Sequence, residues 1–308
     1  MPCRAALVYS PAYWCDIGPH VFPVEKYALL HERLEADGAG ARGEFLEPAA
    51  ASREDLLLVH TEEYLDDLEQ LRVTERTAAS ELPLNESIVR AYVLAAGGTT
   101  LAASESLSRG FAVNLGGGFH HASAARAEGF CYINDLAVAV RALQHRGPVR
   151  RVAVVDLDVH QGNGTALVFA GDDTVFTLSI HQEQNYPVPK ARGDLDIGVM
   201  NGIGDADYNR CLAEALERVW AFGPELVLYQ AGADPYAHDQ LGGLGLSFAG
   251  LEERDRQVLE GCAARGIPAA VTLGGGYAWR VEDTVRIHHQ TCRIALQLAG
   301  ERAGDAAR

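Results

Sequence analysis

Two aspartates and a histidine alternate along one short stretch of the chain. Asp156, Asp158 and His160 stand two residues apart after an apolar run, so in an extended backbone their side chains point to one side. Carboxylate and imidazole groups suit a divalent cation of the zinc type, and Asp234, after another apolar run, offers a third ligand. Three protein ligands leave a position for water, as in catalytic metal sites, and Asp156 is then expected to orient a neighbouring group. The alternative is a surface turn in which aspartate caps the backbone.

A pair of histidines and a tyrosine follow glycine runs elsewhere in the chain. His120 and His121 come after three glycines, whose irregular backbone lets both rings face one site, and Tyr277 comes after three more. Next to a metal-activated water, two histidines suit an acid and a base, and a phenol suits an oxyanion donor. Each is also common as a packing residue, and we expect the separate pair His288–His289 to be structural. Together with a metal, these groups can hydrolyse an amide.

Short apolar runs alternate with helical patterns along the chain. Continuous apolar runs are typical of strands that helices cover on both faces. The predicted strands are residues 5–9, 111–115, 152–155, 174–179, 225–230 and 269–273. The predicted helices are residues 24–37, 61–72, 86–108, 134–145, 207–222 and 249–265. This order predicts an α/β fold, a single three-layer domain with a central parallel sheet, right-handed crossovers and one ligand site beyond the carboxyl ends of the strands.

Composition excludes several classes of protein. The chain has 308 residues, of which 48% are hydrophobic, and a formal net charge of −16. It is too apolar for a disordered chain and too acidic for direct nucleic-acid binding by counterion release. No stretch approaches the roughly 18 apolar residues of a membrane span, and the first residues do not resemble a signal peptide, so we expect a cytoplasmic protein. We expect one domain over residues 1–300 and a frayed tail over residues 301–308.

The six cysteines form no CxxC pair, so a disulfide framework is not expected. Most should be small buried residues, and Cys131, although it lies inside a motif, is expected to pack rather than to react.

Four motifs in one order resemble a known family. Residues 116–139 read GGGFHHASAARAEGFCYINDLAVA and residues 154–165 read VVDLDVHQGNGT, and AGADP and LGGGY follow. Together they resemble the zinc-dependent histone deacetylase family, of the arginase/deacetylase fold, from about Leu7 to Tyr277. The segment QLGGLGLS, the Tyr186–Pro187 pair and Asn163 are most similar to the class IV branch and its bacterial relatives, because class I enzymes usually carry Asp where Asn163 stands.

The resemblance implies a role for each motif residue. Zinc, with iron(II) as the alternative metal, would be held by Asp158, His160 and Asp234. His121 would be the base and acid, paired with Asn163, and His120 would act electrostatically, paired with Asp156. Tyr277 would stabilise the tetrahedral intermediate. The resemblance also implies a structural potassium ion near Asp156, Asp158, His160 and Ser179.

The resemblance extends to the substrate tunnel, with two departures. Gly129 and Phe130 would form one wall, Tyr186 the opposite wall and Leu241 the rim, although Phe130 and Tyr186 are also ordinary packing types. The loop of residues 78–87, AASELPLNES, lacks the Asp with which many relatives grip the substrate backbone. The segment of residues 16–27 lacks the arginine-rich form of other classes and places His20 and Phe22 near the mouth.

The function implied is zinc-dependent hydrolysis of acyl-lysine, in a peptide or protein, by metal-activated water. The acyl group is acetyl or a long-chain fatty acyl. An acetylated polyamine is the alternative substrate, which Leu241 disfavours because polyamine-selective relatives carry a carboxylate there. A catalytically silent acyl-binding protein and a two-metal arginase-like hydrolase are further alternatives. The first would have lost a ligand or the tyrosine, and the second needs extra carboxylates.

Overall fold

A computed structural model describes the backbone of residues 4–306 and the side chains of residues 4–301. Eight strands in this part of the chain form one sheet, in the order β2-β1-β3-β8-β7-β4-β5-β6, and every neighbouring pair is parallel. The strands are β1 Ala5–Val8, β2 Gly43–Leu46, β3 Phe111–Asn114, β4 Val152–Asp156, β5 Val175–Gln182, β6 Leu195–Val199, β7 Leu226–Gln230 and β8 Ala269–Thr272.

Helices cover both faces of this sheet. They are α1 Lys26–Ala36, α2 Ala39–Arg42, α3 Arg53–Leu57, α4 Glu62–Glu69, α5 Glu75–Ala78, α6 Glu86–Arg109, α7 Asp135–Arg146, α8 Asn163–Val168, α9 Asp205–Phe222, α10 Phe248–Arg265 and α11 Val281–Ala306, with a 3₁₀ helix at Pro11–Tyr13. Ala5 and Leu7 pack with α1, α9, α10 and α11, whereas Ala6 and Val8 pack with α3, α4, α6 and α7. The fold is therefore the predicted three-layer α/β architecture, with one apolar core on each side of the sheet.

The prediction missed both edge strands. The six predicted strands correspond to β1, β3, β4, β5, β7 and β8, and β2 and β6 lie at the two ends of the sheet. Along β6 the residues alternate between half-buried and exposed until the last one, and β2 is largely half-buried or exposed. Because an edge strand is covered less completely, its sequence lacks the continuous apolar run by which the central strands were found.

The described C-terminal part of the chain is a long helix. Helix α11, which the sequence analysis did not predict, packs against α10 and α1. It continues through Ala306, over most of the segment expected to fray at residues 301–308, and the last two residues lie outside the described part. Among the described helices, none is long and apolar enough to cross a membrane. Four of the five described cysteines are buried and Cys211 is half-buried, which agrees with the expected packing role, and Cys3 lies outside the described residues.

Candidate active site

Two neighbouring interior strands, β4 and β7, lead to the candidate metal ligands at the carboxyl edge of the sheet. Strand β4 ends at Asp156, so Asp158 and His160 follow the strand rather than lie within it. The alternation nevertheless continues, because Leu157 and Val159 stay buried in the core beneath. The backbone is held on both sides, by a 3.1 Å hydrogen bond from Leu157 N to Gln230 O and a 2.9 Å bond from Gln182 N to Val159 O. Asp158 and His160 therefore point away from that core.

Asp158, His160 and Asp234 form a buried cluster whose ligand atoms all lie within 4.8 Å of one another. His160 Nδ1 lies 3.1 Å from Asp158 Oδ1 and 3.4 Å from Asp234 Oδ2. Asp234 Oδ2 is buried and accepts no hydrogen bond. Burial and the neighbouring Asp158 carboxylate raise the pKa of Asp234 to about 7. Two crowded carboxylates, one with an unpartnered oxygen, fit a divalent cation bound by two oxygens and one nitrogen.

The remaining carboxylate oxygens are held by the protein itself. Asp158 Oδ2 accepts hydrogen bonds from Gln230 Nε2 at 2.8 Å and from Gly275 N at 3.0 Å. Asp234 Oδ1 accepts one from Val159 N at 2.8 Å. Because one oxygen of each carboxylate is anchored, the other is aimed at the centre of the cluster, and the site is preformed.

The tandem histidines lie beside this cluster, in a loop fixed by Asp135. Gly117 and Gly118 both have positive φ, of 75° and 86°, which only glycine adopts freely. The amides of Gly118 and Phe119 donate to the Asp135 carboxylate, at 2.9 and 2.7 Å. This turn carries His120 and His121 into the site as buried residues, 3% and 5% exposed.

Each histidine has a distinct polar partner. His120 Nδ1 lies 2.6 Å from Asp156 Oδ2, His121 Nδ1 lies 2.6 Å from Asn163 Oδ1, and the two Nε2 atoms are 3.1 Å apart. Burial alone would lower the pKa of His120, but the carboxylates of Asp156 and Asp158 raise it to about 9. Burial and the neighbouring His120 and His160 hold the pKa of His121 well below its usual range. These opposite shifts of the pKa favour a cationic His120 and a neutral His121, and the neutral imidazole is the form a base requires.

A tight turn at residues 128–131 forms one side of the cavity above the cluster. Gly129 and Phe130 have φ of 49° and 62°, the backbone of a type I′ turn, and Glu128 and Cys131 exchange hydrogen bonds of 3.0 and 2.8 Å. Positive φ at a residue such as Phe130 costs about 1–3 kcal/mol and concentrates at functional sites. A Cβ on Gly129 would lie 2.5 Å from His121 Cδ2 and 2.9 Å from Tyr186 Cε1. The turn therefore requires glycine between these two rings.

The cavity has a volume of about 190 Å³ and contains all four predicted tunnel residues. It is lined by Glu81, His121, Gly129, Phe130, His160, Asn185, Tyr186, Leu241 and Tyr277. The ring centroid of Tyr277 is 6.0 Å from that of Phe130 and 6.5 Å from that of His160. Burial raises the pKa of Tyr277 well above 10, so the phenol keeps the proton that it would donate. Cys131 is buried, its thiol donates to Gly129 O at 3.3 Å, and burial raises its pKa, in keeping with a packing role.

Several residues at the site were given no role by the sequence analysis. Gln230 is a polar residue at the end of an apolar strand, a signal that could have identified it. Asp239 accepts from Tyr277 N at 2.6 Å and so fixes the tyrosine backbone.

Glu81, noted only as part of a loop without the expected Asp, lines the cavity with a φ of 66°. Lys26 is fully buried and donates to Gly274 O at 2.6 Å, and burial lowers its pKa to about 8 despite nearby carboxylates. Glu128, in the turn, contacts Asn163.

An eight-stranded parallel sheet with this cluster at its carboxyl edge has the arginase/deacetylase-like α/β fold. Within that class, the sequence model described as "Histone deacetylase domain" matches residues 20–292, so the chain belongs to the histone deacetylase family. The resemblance seen in the motifs is thereby confirmed. Membership supports a hydrolase that carries out deacetylation.

Individual relatives cover nearly the whole chain. An uncharacterized protein of Picosynechococcus sp. is 42% identical over 94% of this chain and 97% of its own length. Histone deacetylase 2 of Arabidopsis thaliana is 35% identical over 89% of this chain and 75% of its own. Among solved structures, a histone deacetylase homologue crystallised in complex with SAHA aligns with a TM-score of 0.83 and 28% identity, over 95% of this chain and 84% of its own.

Proposed function

We propose that the protein is a zinc-dependent amidohydrolase that removes an acyl group from lysine side chains. One observation carries the proposal: Asp158, His160 and Asp234 converge within 4.8 Å, and His160 lines the same cavity as His121 and Tyr277. When bound, zinc supplies a Lewis acid that polarises a carbonyl and lowers the pKa of water. The two carboxylates and one imidazole also suit iron(II), which is the alternative metal. A structural potassium ion beside Asp156 and Ser179 remains part of the proposal, since these residues are paired across β4 and β5.

The chain's own groups would handle the protons of the reaction. His121 takes a proton from the attacking water and returns it to the departing amine. His120, held by Asp156, supplies positive charge beside the developing anion. Tyr277 donates a hydrogen bond to the carbonyl oxygen as that atom gains negative charge. Asn163 fixes the ring of His121, which leaves Nε2 for the proton transfer.

The cavity suits an aliphatic stem that ends in a short acyl group. Phe130, Gly129 and Tyr186 provide apolar walls along which the methylene groups of a lysine lie. A second, apolar cavity includes Phe22 in its lining, and the Phe22 ring centroid is 6.0 Å from that of Tyr277, but this cavity has a volume of only about 10 Å³. We therefore propose acetyl-lysine as the preferred substrate, because a long fatty chain would require the residues around Phe22 to move.

An acetylated polyamine is the second candidate substrate. The carboxylate of Glu81, which lines the cavity, favours it because a polyamine carries a further cationic amine. Leu241, an apolar residue at the same cavity, provides no second carboxylate. A silent acyl-binding protein is disfavoured, since none of the metal-ligand or tyrosine positions is substituted.

A substrate panel distinguishes these candidates. Purified enzyme loaded with zinc or iron(II) is assayed on lysine peptides acylated from acetyl to myristoyl and on acetylated polyamines, with a chelated sample as the control. The proposal predicts the highest kcat/KM on acetyl-lysine and no turnover after chelation. Turnover that survives complete metal removal would refute the mechanism, and turnover confined to polyamines that is lost in Glu81→Gln would establish the second candidate.

A further inference from the structure

Glu128 lies behind the histidine that the proposed mechanism uses as its base. Its Oε1 atom accepts hydrogen bonds from Asn163 Nδ2 at 2.8 Å and from the Tyr186 hydroxyl at 3.0 Å. The backbone of Glu128 is fixed on both its N–H and its C=O by Cys131, in the turn that shapes the cavity wall. Glu128 is not itself among the residues that line the cavity. Its contacts thus lead to Asn163 and Tyr186, and through Asn163 to His121.

The chemistry of an amide makes this contact consequential. Asn163 has one oxygen, which only accepts, and one NH₂ group, which only donates, whereas the Glu128 carboxylate accepts only. The amide atom that faces Glu128 must therefore be the NH₂ group. The oxygen is then turned towards His121 Nδ1, 2.6 Å away. An acceptor at that position requires Nδ1 to carry the proton, and Nε2 keeps its lone pair. A protonated His120 Nε2, 3.1 Å from His121 Nε2, favours the same tautomer, so the contact of Glu128 with Asn163 acts together with His120.

We propose that Glu128 is a positioning residue that fixes the orientation of the Asn163 amide and thereby the tautomer of His121; this inference rests on the proposed role of His121 as base. If the amide were rotated by half a turn, its NH₂ group would face His121 Nδ1. Nδ1 would then have to accept, the proton would lie on Nε2, and the base would be blocked. A carboxylate at residue 163 would need no such control, because both of its oxygens accept.

Kinetics of four variants test this inference on the zinc-loaded enzyme with an acetyl-lysine peptide. Glu128→Ala should lower kcat by about 10-fold or more, as losses behind a catalytic group do, with KM changed by less than about twofold. Glu128→Gln, whose side-chain amide can either accept from Asn163 or donate to it, should lower kcat by less than Glu128→Ala does. In the Asn163→Asp background, Glu128→Ala should cause no further loss, since the aspartate needs no orientation and loses a repulsive neighbour. Tyr186→Phe removes the other hydrogen bond to Glu128 and leaves the Asn163 contact. Because Tyr186 also lines the cavity, this variant is the matched control for the tautomer of His121 and not for turnover.

Nitrogen-15 spectra of the histidine rings give a readout that does not depend on turnover. They should show His121 protonated at Nδ1 in the wild type and in Tyr186→Phe, with Nε2 protonation appearing in Glu128→Ala and, to a smaller extent, in Glu128→Gln. A tautomer that is the same in Glu128→Ala would overturn the inference, as would an equal loss of kcat for that change in the wild-type and Asn163→Asp backgrounds. A wild type that shows the expected tautomers but no deacylation would refute the proposed function alone.

Discussion

Replacement of Gly129 by alanine should disable the enzyme by displacing its base. An ordinary contact at this site begins near 3.4 Å, yet the new Cβ would lie 2.5 Å from His121 Cδ2 and 2.8 Å from His121 Cγ. The ring would have to move by about 0.9 Å, and Tyr186, at 2.9 Å, blocks relief on the other side. A misplacement of about 1 Å at a reacting group costs up to about 10²-fold in rate. We expect kcat for acetyl-lysine hydrolysis to fall by about 10- to 100-fold.

Alanine at residue 129 also imposes backbone strain, and a control substitution at Gly147 measures the effect of such strain by itself. Gly147 ends helix α7 with a φ of 85°, and a Cβ there would meet nothing within 4 Å. Gly147→Ala therefore carries the left-handed strain alone, about 1–2 kcal/mol, which lowers Tm by about 2–4 °C for each kcal/mol. Its kcat should equal that of the wild type. Both variants are compared by thermal unfolding and by kcat of the folded, metal-loaded protein. Unchanged kcat in Gly129→Ala would refute the placement of His121 against the turn.

Three further perturbations have defined outcomes. Asp158→Ala and His160→Ala should each abolish stoichiometric metal binding, so unchanged zinc content by elemental analysis would contradict the ligand assignment. Tyr277→Phe should keep the metal but lower kcat by roughly 10²-fold, as for the loss of an oxyanion donor; near-normal turnover would remove this residue from the mechanism. Burial lowers the pKa of His60 to about 4. Between about pH 6.5 and about pH 4 the unfolded chain therefore binds a proton at this histidine that the folded chain does not bind. The free energy of unfolding falls by about 3 kcal/mol as the pH drops through this range. His60→Gln should remove that part of the decline in urea unfolding, and an unaltered pH dependence would show that His60 is not buried in its neutral form.

The sequence was sufficient where a local pattern determines the structure. Asp158 and His160 were recognised from their spacing, and the alternation survives beyond the end of β4 because Leu157 and Val159 anchor the opposite side in the core. The convergence with Asp234 followed from parallel strand topology, which brings strand ends to one edge. The central strands were likewise evident, since burial on both faces leaves continuous apolar runs.

Prediction failed where a residue's role depends on distant contacts or on partial exposure. The edge strands β2 and β6 lack the apolar signature, and nothing in the spacing links Glu128 to Asn163, 35 residues away. Glu81 reaches the cavity through a left-handed backbone in a loop, which its residue type does not predict.

The four-residue turn at residues 128–131 places three different tasks on neighbouring positions. Glu128 accepts a hydrogen bond from the Asn163 amide, Gly129 leaves room for the His121 ring, and Phe130 forms part of the cavity wall. Residue 130 lies between Glu128 and Cys131, whose backbones are joined by two hydrogen bonds, so we expect a substitution there to disturb the position of Glu128 as well. A change of substrate preference made within the turn would therefore also affect proton transfer. Altered selectivity should arise more readily at Leu241, which lines the same cavity, than within the turn or at Tyr186, whose hydroxyl donates to Glu128.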